Sequence, residues 1–355
     1  MPKNTTFFTK NLILWYLQNG RSLPWRETHD PYHIWLSEIM LQQTRVAQGL
    51  PYYLKFVEHF PTVYDLAAAS EEEVLKLWQG LGYYSRARNL HFTAKHIVTE
   101  RNGDFPNNYQ DLLALKGVGD YTASAIASIC FNEPAAVVDG NVYRVLSRVF
   151  GIDTPINSSK GIKEFKALAQ LLIDEKQPGT YNQAIMEFGA RYCVPQNPNC
   201  DNCIFSGNCQ AHANKKVDSL PVKINKTKIK KHYFQYIIPI SGDQKTILEQ
   251  RRGKGIWENL YQFPLVESAS EVDAKGLKDI AAFKNVSEKL KITNLVRYNS
   301  KPILHKLSHK YLYTTFWIAQ VENLNGEGIP FAKTHSYPVP ILIGNFISEF
   351  SLFKD

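Results

Sequence analysis

The spacing of apolar residues along the chain divides it into two parts of different character. From the N-terminus to about residue 213, apolar residues recur at helical intervals, as at Phe8, Leu12 and Trp15, and short turns rich in Gly, Pro and Asn separate the helical segments. Strand-like alternation is not found in this stretch of sequence. The pattern therefore predicts an all-α domain over residues 1–213.

From Tyr233 onward the pattern becomes that of an α+β domain. Three runs are β-rich, namely YFQYIIPI, TILEQRR and YLYTTFWIAQV. Residues 269–283 and the last stretch, VPILIGNFISEF, have helical spacing. We therefore expect a second domain over residues 233–355, and the lysine-rich, apolar-poor stretch 214–232 is predicted to be a linker.

Composition narrows the class of protein. A chain of 355 residues with 44% hydrophobic residues suits two globular domains, and a net charge of +8 favours a polyanionic partner. No apolar run approaches the length of a membrane helix, and the first residues lack the order of a signal peptide, so we expect a cytoplasmic protein without a membrane partner. Four of the five cysteines cluster, which in such a chain favours a metal site over disulfides.

A glycine-containing turn lies at the centre of the first domain. Gly117, Val118 and Gly119 form a tight turn between two helical patterns over about residues 113–130. The second glycine permits a positive φ and close approach to a partner, and the helix after it presents free N–H groups that suit a phosphate. A plain corner between two helices is the alternative interpretation.

An aspartate follows this turn, at the start of the next helical pattern. Asp139 stands where an N-cap residue would stand, and capping is its simplest role. The combined string LKGVGDYTA…VDGNVYRV resembles the helix-hairpin-helix element and following aspartate of the endonuclease III superfamily of DNA glycosylases. The resemblance implies that the hairpin grips a DNA phosphate and that Asp139 enters an active-site cleft.

A glutamate lies on an apolar helix face. Ile34, Trp35 and Leu41 lie at i−4, i−3 and i+3 from Glu38. Desolvation on such a face raises the pKa of a carboxyl group and makes it a usable acid near neutral pH, whereas a boundary glutamate that reaches water is the alternative. The string LSEIMLQQT resembles the adenine DNA glycosylase (MutY) branch of the superfamily, and this resemblance implies that Glu38 is catalytic.

Further motifs supply candidate DNA-binding residues. The strings RSLPWR, GLGYYSRARNL and GTYNQAIMEFGA combine aromatic, cationic and acidic side chains, and stacking tyrosines next to arginines are typical of proteins that bind unpaired bases. Packing in the core or plain surface exposure is the alternative for each of them. The resemblance implies contacts to DNA or the flipped adenine by Trp25, Arg26, Leu41, Gln43, Tyr83, Arg86, Gly117, Val118, Gly119, Glu187, Ser308 and His309.

The cysteine cluster follows the spacing Cys193-x6-Cys200-x2-Cys203-x5-Cys209. Four thiolates within one short loop can converge on one centre, and either zinc or an iron–sulfur cluster suits such a ligand set. The spacing is similar to that of the iron–sulfur loop in the endonuclease III superfamily. The resemblance implies one 4Fe–4S cluster over residues 193–209 with a structural and DNA-positioning role.

The second domain also has a family resemblance. The string QRRGKGIWENLYQFP is similar to the Nudix-like C-terminal domain of adenine DNA glycosylases, but the carboxylate cluster of Nudix hydrolases is missing, so we do not assign nucleotide hydrolysis. Residues 305–309 match the loop that contacts 8-oxoguanine in that family, which implies this role for Ser308 and His309. Leu307 replaces the usual aromatic residue.

The chemistry expected of these residues is hydrolysis of an N-glycosidic bond. Glu38 would protonate N7 of adenine, ionised Asp139 would stabilise the oxocarbenium-like sugar, and Asn141 would position water. The apolar face around Glu38 and the helix N-terminus at Asp139 predict a raised pKa for the first carboxyl and a lowered pKa for the second.

One position separates this chain from bifunctional relatives. Endonuclease III carries a Schiff-base lysine two residues after the second hairpin glycine, where this chain has Tyr121. A phenol forms no imine, so a monofunctional enzyme is predicted, with Tyr121 supporting the charged intermediate. Asp120 is expected to cap the helix, although it lies close to the expected phosphate.

These features lead to one functional hypothesis and two alternatives. We expect a monomeric, monofunctional adenine DNA glycosylase of base excision repair that removes adenine opposite 8-oxoguanine or guanine in double-stranded DNA and associates with the nucleoid. The alternatives are another helix-hairpin-helix glycosylase, specific for thymine mismatches or oxidised pyrimidines, and a non-catalytic, cluster-bearing DNA-binding protein.

Overall fold

The structure, a computed structural model, describes residues 5–224, 229–324 and 326–354. Described residues 5–68 and 89–224 form one compact unit, and residues 69–88 together with those from 229 onward form a second. The first residues of the predicted helical domain, 1–4, and residues 225–228 of the predicted linker lie outside the described residues. No helix in the described part of the chain is long and apolar enough to cross a membrane.

The described chain up to residue 224 is helical, as the apolar spacing predicts. The helix α1 buries Phe8, Leu12 and Trp15, and the ring of Phe8 stacks on Phe205 with 4.9 Å between ring centroids. Helix α2 begins at Pro31 after Asp30, whose side chain accepts a hydrogen bond from the Tyr32 N–H. The helices are α1 (Thr5–Asn19), α2 (Pro31–Leu41), α3 (Val46–His59), α4 (Val63–Ala68), α5 (Glu71–Leu77), α6 (Ser85–Arg101), α7 (Tyr109–Leu113), α8 (Asp120–Phe131), α9 (Gly140–Phe150), α10 (Ser159–Leu172), α11 (Pro178–Arg191) and α12 (Gln210–Ala213).

The predicted hairpin is formed by α7, the following turn and α8, but the backbone conformations of its two glycines differ from the prediction. Gly117 adopts φ +82, and a Cβ there would lie 2.7 Å from the Cβ of Asn89. Gly119 is extended, with φ −100, so the positive φ expected at the second glycine is found at the first. The reason is local, because the chain must reverse after α7 before it can extend into α8.

Part of the predicted linker is held on the first unit. The carbonyl groups of Val217 and Leu220 accept hydrogen bonds from Arg148 Nε at 3.0 and 3.2 Å. The Ile156 N–H donates to the Val222 carbonyl at 3.0 Å. Residues 214–224 therefore follow the helical surface as ordered chain.

The second unit is built on a mixed sheet. In the described residues its strand order is β5-β1-β8-β6, and β7 also pairs with β8. The long strands β1 and β8 are parallel, so their buried faces are apolar, and Ile237 and Trp317 pack there with Leu277 and Phe283. The strands are β1 (Lys230–Ser241), β2 (Lys245–Thr246), β3 (Glu249–Gln250), β4 (Tyr261–Gln262), β5 (Leu265–Ser268), β6 (Ile292–Arg297), β7 (Ile303–Lys306), β8 (Lys310–Val321) and β9 (Ile329–Pro330).

Helices cover this sheet, and the predicted α+β class is confirmed. The elements are α13 (Ala274–Asp279), α14 (Ala281–Leu290) and α15 (Ile341–Glu349). The helix predicted over 269–283 therefore begins and ends too early in the chain. The prediction also missed the break between two helices at Ile280. The run TILEQRR holds the end of β2 and all of β3, which pair with different partners rather than forming one strand.

Candidate active site

Glu38 lies in the last turn of α2 and is buried. Its neighbours Ile34 and Trp35 are each 1% exposed, and Glu38 itself is 9% exposed. Burial raises the pKa of the Glu38 carboxyl to about 7, a hydrogen bond with the Tyr121 hydroxyl opposes this rise, and the charge of Asp139 adds to it. The carboxyl group is thus partly protonated at neutral pH, as the helix-face argument predicts.

Tyr121 lies in the first turn of α8, against Glu38. Its hydroxyl is hydrogen-bonded to the Glu38 carboxyl and lies 3.1 Å from Met186 Sδ. Burial and the negative charges of Glu38 and Asp139 raise the pKa of Tyr121 well above its usual value, so the phenol keeps its proton. The side chain at the lysine position of bifunctional relatives therefore supplies a hydroxyl that touches the predicted acid.

Asp139 caps α9, as predicted. Its Oδ1 accepts hydrogen bonds from the N–H groups of Asn141 and Val142, both at 2.8 Å, and its Oδ2 accepts one from Asn141 Nδ2 at 2.8 Å. The predicted lowering of its pKa is wrong. Burial raises the pKa of Asp139 by more than these hydrogen bonds lower it, so the local cap does not outweigh the tertiary environment.

Asn141 orients Asp139 and is itself held. Its Oδ1 accepts a hydrogen bond from Arg144 NH2 at 2.8 Å, while its Nδ2 is used by Asp139. Arg144 Nε in turn donates to the carbonyl of Cys193 at 2.7 Å. Both ends of the Asn141 amide are thus engaged within the protein, which makes it a support for Asp139, and its expected role in positioning water stays a prediction.

Glu187 is the centre of a buried ion-pair network. It is 1% exposed, and its two oxygens accept hydrogen bonds from Arg21 Nε and NH2, both at 2.6 Å, and from Arg26 NH2 at 2.8 Å. Burial alone would raise the pKa of Glu187, but the two guanidinium groups lower it to about 2. The carboxylate therefore fixes the loop over residues 21–26, and its oxygens face arginines.

The other residues expected near DNA in the first unit differ in exposure. Trp25 is buried and packs edge-on against Tyr53 with 5.0 Å between ring centroids, so the structure supports the core-packing alternative. Leu41 is partly exposed at the end of α2. Gln43 is exposed and adopts φ 57, a left-handed conformation that few side chains other than glycine adopt.

The start of α8 has a different electrostatic arrangement from the one expected. Gly119, with no side chain, is the N-cap, so the capping role predicted for Asp120 is wrong. Asp120 instead accepts a hydrogen bond from the Tyr109 hydroxyl at 2.6 Å and forms an ion pair with Lys166 Nζ at 2.9 Å. Val118, between the two hairpin glycines, is buried.

The four clustered cysteines line one cavity beneath α9. Arg148 lies beside them, and its NH1 is 3.5 Å from Cys193 Sγ and donates to the Val194 carbonyl at 2.7 Å. Within the described residues no group of three or more His, Cys, Asp or Glu side chains is placed to hold a metal ion. The cavity-lining cysteines are Cys193, Cys200, Cys203 and Cys209.

In the second unit, a cavity of about 390 Å³ brings together residues from distant parts of the chain. Tyr83, which is 49% exposed, lines it together with Ser308 and His309, which lie in the turn between β7 and β8. Arg86 is buried, with its guanidinium 5.3 Å from the centroids of both the Tyr83 and the Trp78 ring. The predicted direct contact of Arg86 with DNA is not supported by this position, and the side chain instead supports Tyr83.

The sequence did not identify three cations that hold the site. Arg21 binds Glu187, Arg144 binds Asn141, and Lys166 binds Asp120. Arg144 and Arg148 recur at i+4 on α9, ahead of the cysteine loop, and that spacing was a usable signal for a shared helix face. Nothing local marks Arg21 or Lys166, whose partners lie far away along the chain.

Fold and site together define the class of the helix-hairpin-helix DNA glycosylases. A family model described as "HhH-GPD superfamily base excision DNA repair protein" matches residues 36–170. A second model, described as "NUDIX domain", matches residues 235–349. A solved structure of a thermostable thymine-DNA glycosylase superposes with a TM-score of 0.56 at 30% identity and covers 60% of this chain and 98% of that chain.

Curated relatives narrow this class further. An adenine DNA glycosylase of Buchnera aphidicola subsp. Baizongia pistaciae is 34% identical over 316 residues, which cover 88% of this chain and 86% of that protein. An adenine DNA glycosylase of Rattus norvegicus is 48% identical over 218 residues, covering 59% of this chain and 42% of the longer rat protein. This chain belongs to the adenine DNA glycosylase family.

Proposed function

We propose that this protein is a monofunctional adenine DNA glycosylase of base excision repair that removes adenine opposite 8-oxoguanine or guanine in duplex DNA. One observation carries the proposal. Glu38 is a buried carboxyl group with a pKa of about 7, it touches the Tyr121 hydroxyl, and a second carboxyl group, Asp139, is close enough to shift its pKa. Family membership indicates that the substrate is adenine in DNA, because the curated relatives are named adenine DNA glycosylases.

The proposed reaction begins with proton transfer from Glu38 to N7 of an adenine that has left the base stack. The bond between N9 and C1′ then breaks, its electron pair remains on adenine, and the sugar becomes an oxocarbenium-like cation. The Asp139 carboxylate stabilises that cation, and Asn141 and Arg144 keep the carboxylate in place. Water adds to C1′, and the proton that it loses returns to the Glu38 carboxylate, which restores the acid.

The same geometry supports monofunctional chemistry. Tyr121 occupies the position at which bifunctional relatives carry the attacking lysine, and its raised pKa keeps the phenol neutral beside Glu38. Strand cleavage should therefore require added alkali. Borohydride should trap little covalent adduct between the enzyme and DNA, and efficient trapping of the unchanged protein would contradict this part of the proposal.

We also propose that the four clustered cysteines hold one 4Fe–4S cluster, whose contribution is to cross-link the loop over residues 193–209. The four thiols line a single cavity, as the ligands of one cluster must. Iron analysis of anaerobically prepared protein tests this proposal, and stoichiometric zinc without iron would overturn it.

The residues proposed to contact DNA are chosen for the exposure of their side chains and for their position in the fold. We propose that the hairpin residues Gly117 to Gly119 bind a phosphate, that Gln43 and Tyr83 contact bases, and that Ser308 and His309 read the lesion. Glu187 and Arg26 act as a scaffold for the adenine pocket. The protein is expected to act as a monomer on DNA.

A gel assay tests the proposed substrate directly. Duplexes with A:8-oxoG, A:G, T:G and a thymine glycol pair are incubated with the protein and analysed with and without alkali. We expect cleavage after alkali for A:8-oxoG and A:G only. A second candidate, thymine-mismatch specificity, is favoured by the similarity to the thymine-DNA glycosylase structure, and cleavage of the T:G duplex alone would establish it instead.

A further inference from the structure

The segment over residues 69–88 precedes most of the helical domain in sequence but belongs to the second unit. Polar side chains on α5 and in the turn after it bind the loops around β4 and the start of α15. These hydrogen bonds include Asn259 Nδ2 to Glu71 Oε1 (2.6 Å), Tyr261 O–H to Glu72 Oε1 (2.6 Å), Lys76 Nζ to the Tyr337 carbonyl (3.1 Å) and Val339 N–H to Gln79 Oε1 (3.2 Å).

An ion pair between Arg88 and Glu258 completes this attachment. Arg88 NH2 donates to Glu258 Oε2 at 2.8 Å, and Arg88 NH1 donates to the Glu258 backbone carbonyl at 2.9 Å. The two side chains are 17% and 29% exposed, so the pair is only partly screened by water. Two charge-assisted contacts from one planar guanidinium fix orientation as well as distance.

The pair joins the first turn of helix α6 to the loop before β4, and next to each partner lies a turn with an unusual backbone conformation. Tyr83, five residues before Arg88, has φ 49, and Trp257, directly before Glu258, has φ 60. Bulky residues rarely adopt the left-handed region, and the surrounding contacts must hold them there. The Trp257 ring is buried and lies 5.7 Å from the His305 ring, at the base of the turn that carries Ser308 and His309.

Both turns line the same cavity of about 390 Å³ as Ser308 and His309. Tyr83 offers an exposed ring at this cavity, and the turn between β7 and β8 offers a hydroxyl and an imidazole, with Ser308 Oγ 3.2 Å from His309 Nδ1. A stacking ring and two polar groups read one base only if their separation is fixed. Arg88 itself lines the cavity and Glu258 does not, so an effect of Glu258 on selectivity must act through this separation.

We propose that Arg88 and Glu258 are positioning residues for recognition of the opposite base, which fix Tyr83 relative to the Ser308–His309 turn. The inference rests on the proposed function, because it requires that the protein prefers A:8-oxoG to A:G. It assigns a role in specificity to an ion pair that lies outside the catalytic centre.

The test is a graded set of variants. Arg88→Met removes both contacts and keeps the aliphatic stem, Glu258→Gln keeps an acceptor oxygen without its charge, and Arg88→Lys restores the charge without the planar fork. The matched control is Arg297→Met, which removes another ion pair of the same unit, Arg297 NH2 to Glu271 Oε1 at 2.9 Å. Melting temperatures are recorded for all four variants.

The readouts are the ratio of excision rates on A:8-oxoG and A:G at limiting enzyme, and the single-turnover rate on A:8-oxoG at saturating enzyme. We expect Arg88→Met to lower the ratio roughly tenfold, the scale of one or two well-made charge-assisted hydrogen bonds, with smaller losses for Glu258→Gln and Arg88→Lys. The single-turnover rate at saturating enzyme should stay within about twofold of the wild-type rate, because Glu38 and Asp139 are unchanged.

Two results overturn the inference. If Arg88→Met changes the ratio no more than Arg297→Met does, the pair has no role in selectivity. If the ratio is unchanged while both rates fall with the melting temperature, its role is structural. A failure of the proposed function is distinguishable, because the unchanged protein would then show no preference for A:8-oxoG or would not excise adenine.

Discussion

In the first unit the proposed reactive groups are buried and carried by regular helices, whereas in the second unit the groups proposed to read the opposite base are exposed and carried by turns. Glu38 lies on a helix face, Tyr121 in the first turn of a helix and Asp139 at a helix N-cap, all with hydrogen-bond partners inside the protein. Tyr83 and Ser308 lie on turns beside a cavity. Chemistry needs a controlled dielectric environment, whereas recognition needs accessible edges at fixed separation.

This comparison separates the effects expected of substitutions. A change among the buried groups alters the rate of bond cleavage or the stability of the first unit. A change around the cavity alters the preference between substrates and leaves bond cleavage nearly intact. Each of the following predictions tests one side of this separation.

The largest effect is expected at Glu38. Glu38→Gln removes the proton donor and keeps the shape, so single-turnover excision of adenine should fall by roughly 10²–10⁴-fold or more, the usual contribution of a general acid. Affinity for the duplex should be retained, because the side chain is buried. Rapid-quench kinetics at saturating enzyme and a filter-binding titration measure the two quantities, and near-normal excision would remove Glu38 from the mechanism.

The next effect concerns the stability of the first unit. Glu187→Gln leaves the Arg21 and Arg26 guanidinium groups without their shared carboxylate, and we expect a loss of roughly 2–4 kcal/mol in the free energy of unfolding at pH 7. The pKa of Glu187 is lowered from 4.5 to about 2 in the folded state. Its stabilisation is therefore fully present above about pH 4.5 and is lost as the pH falls toward 2.

Urea titrations of the wild type and the variant at several pH values measure this loss. The difference between the two proteins should be largest at neutral pH and should shrink steadily below pH 4.5. Arg297→Met, in the second unit, serves as the control for a partly exposed ion pair, whose loss should cost about 1 kcal/mol or less. A constant difference across this pH range would show that the Glu187 charge is not the cause.

The sequence was sufficient for features whose cause is local. The helix-face spacing around Glu38 predicts its burial and its raised pKa, and the position of Asp139 predicts its capping bonds. The predicted direction of the Asp139 pKa shift was wrong, because this direction depends on burial by distant segments. An apolar helix face such as that around Glu38 indicates burial, whereas the sequence around the Asp139 cap indicates only its local hydrogen bonds and not the distant segments that bury it.

Contacts between residues that are far apart in the sequence explain the other differences between prediction and structure. Glu187 binds Arg21 across 166 positions of sequence, and no local signal distinguishes it from an exposed glutamate. Arg86 was expected to contact DNA, but its guanidinium group is buried close to the Trp78 and Tyr83 rings. The membership of residues 69–88 in the second unit depends on contacts with residues such as Glu258, which composition cannot indicate.

The smallest effect is expected at the hairpin. Lys166 neutralises Asp120 at the start of α8, so Lys166→Met leaves a negative charge close to the proposed phosphate site. Affinity for duplex DNA should fall by about threefold to tenfold at low salt and by less at high salt, because salt screens the repulsion. Adding Asp120→Asn should restore the affinity. If the double variant binds as weakly as Lys166→Met, the loss comes from disturbed packing of α8.

The most direct test of the central claim is the pH dependence of single-turnover excision by the wild-type protein at saturating enzyme on an A:8-oxoG duplex. Glu38 must be protonated to act as the acid, and its pKa in the folded protein is about 7. The account therefore predicts a rate that falls about tenfold for each pH unit above this pKa, and that also falls on the acid side, where the Asp139 carboxylate with its raised pKa takes up a proton. A rate that stays constant up to about pH 9, two units above that pKa, would contradict the assignment of Glu38 as the proton donor.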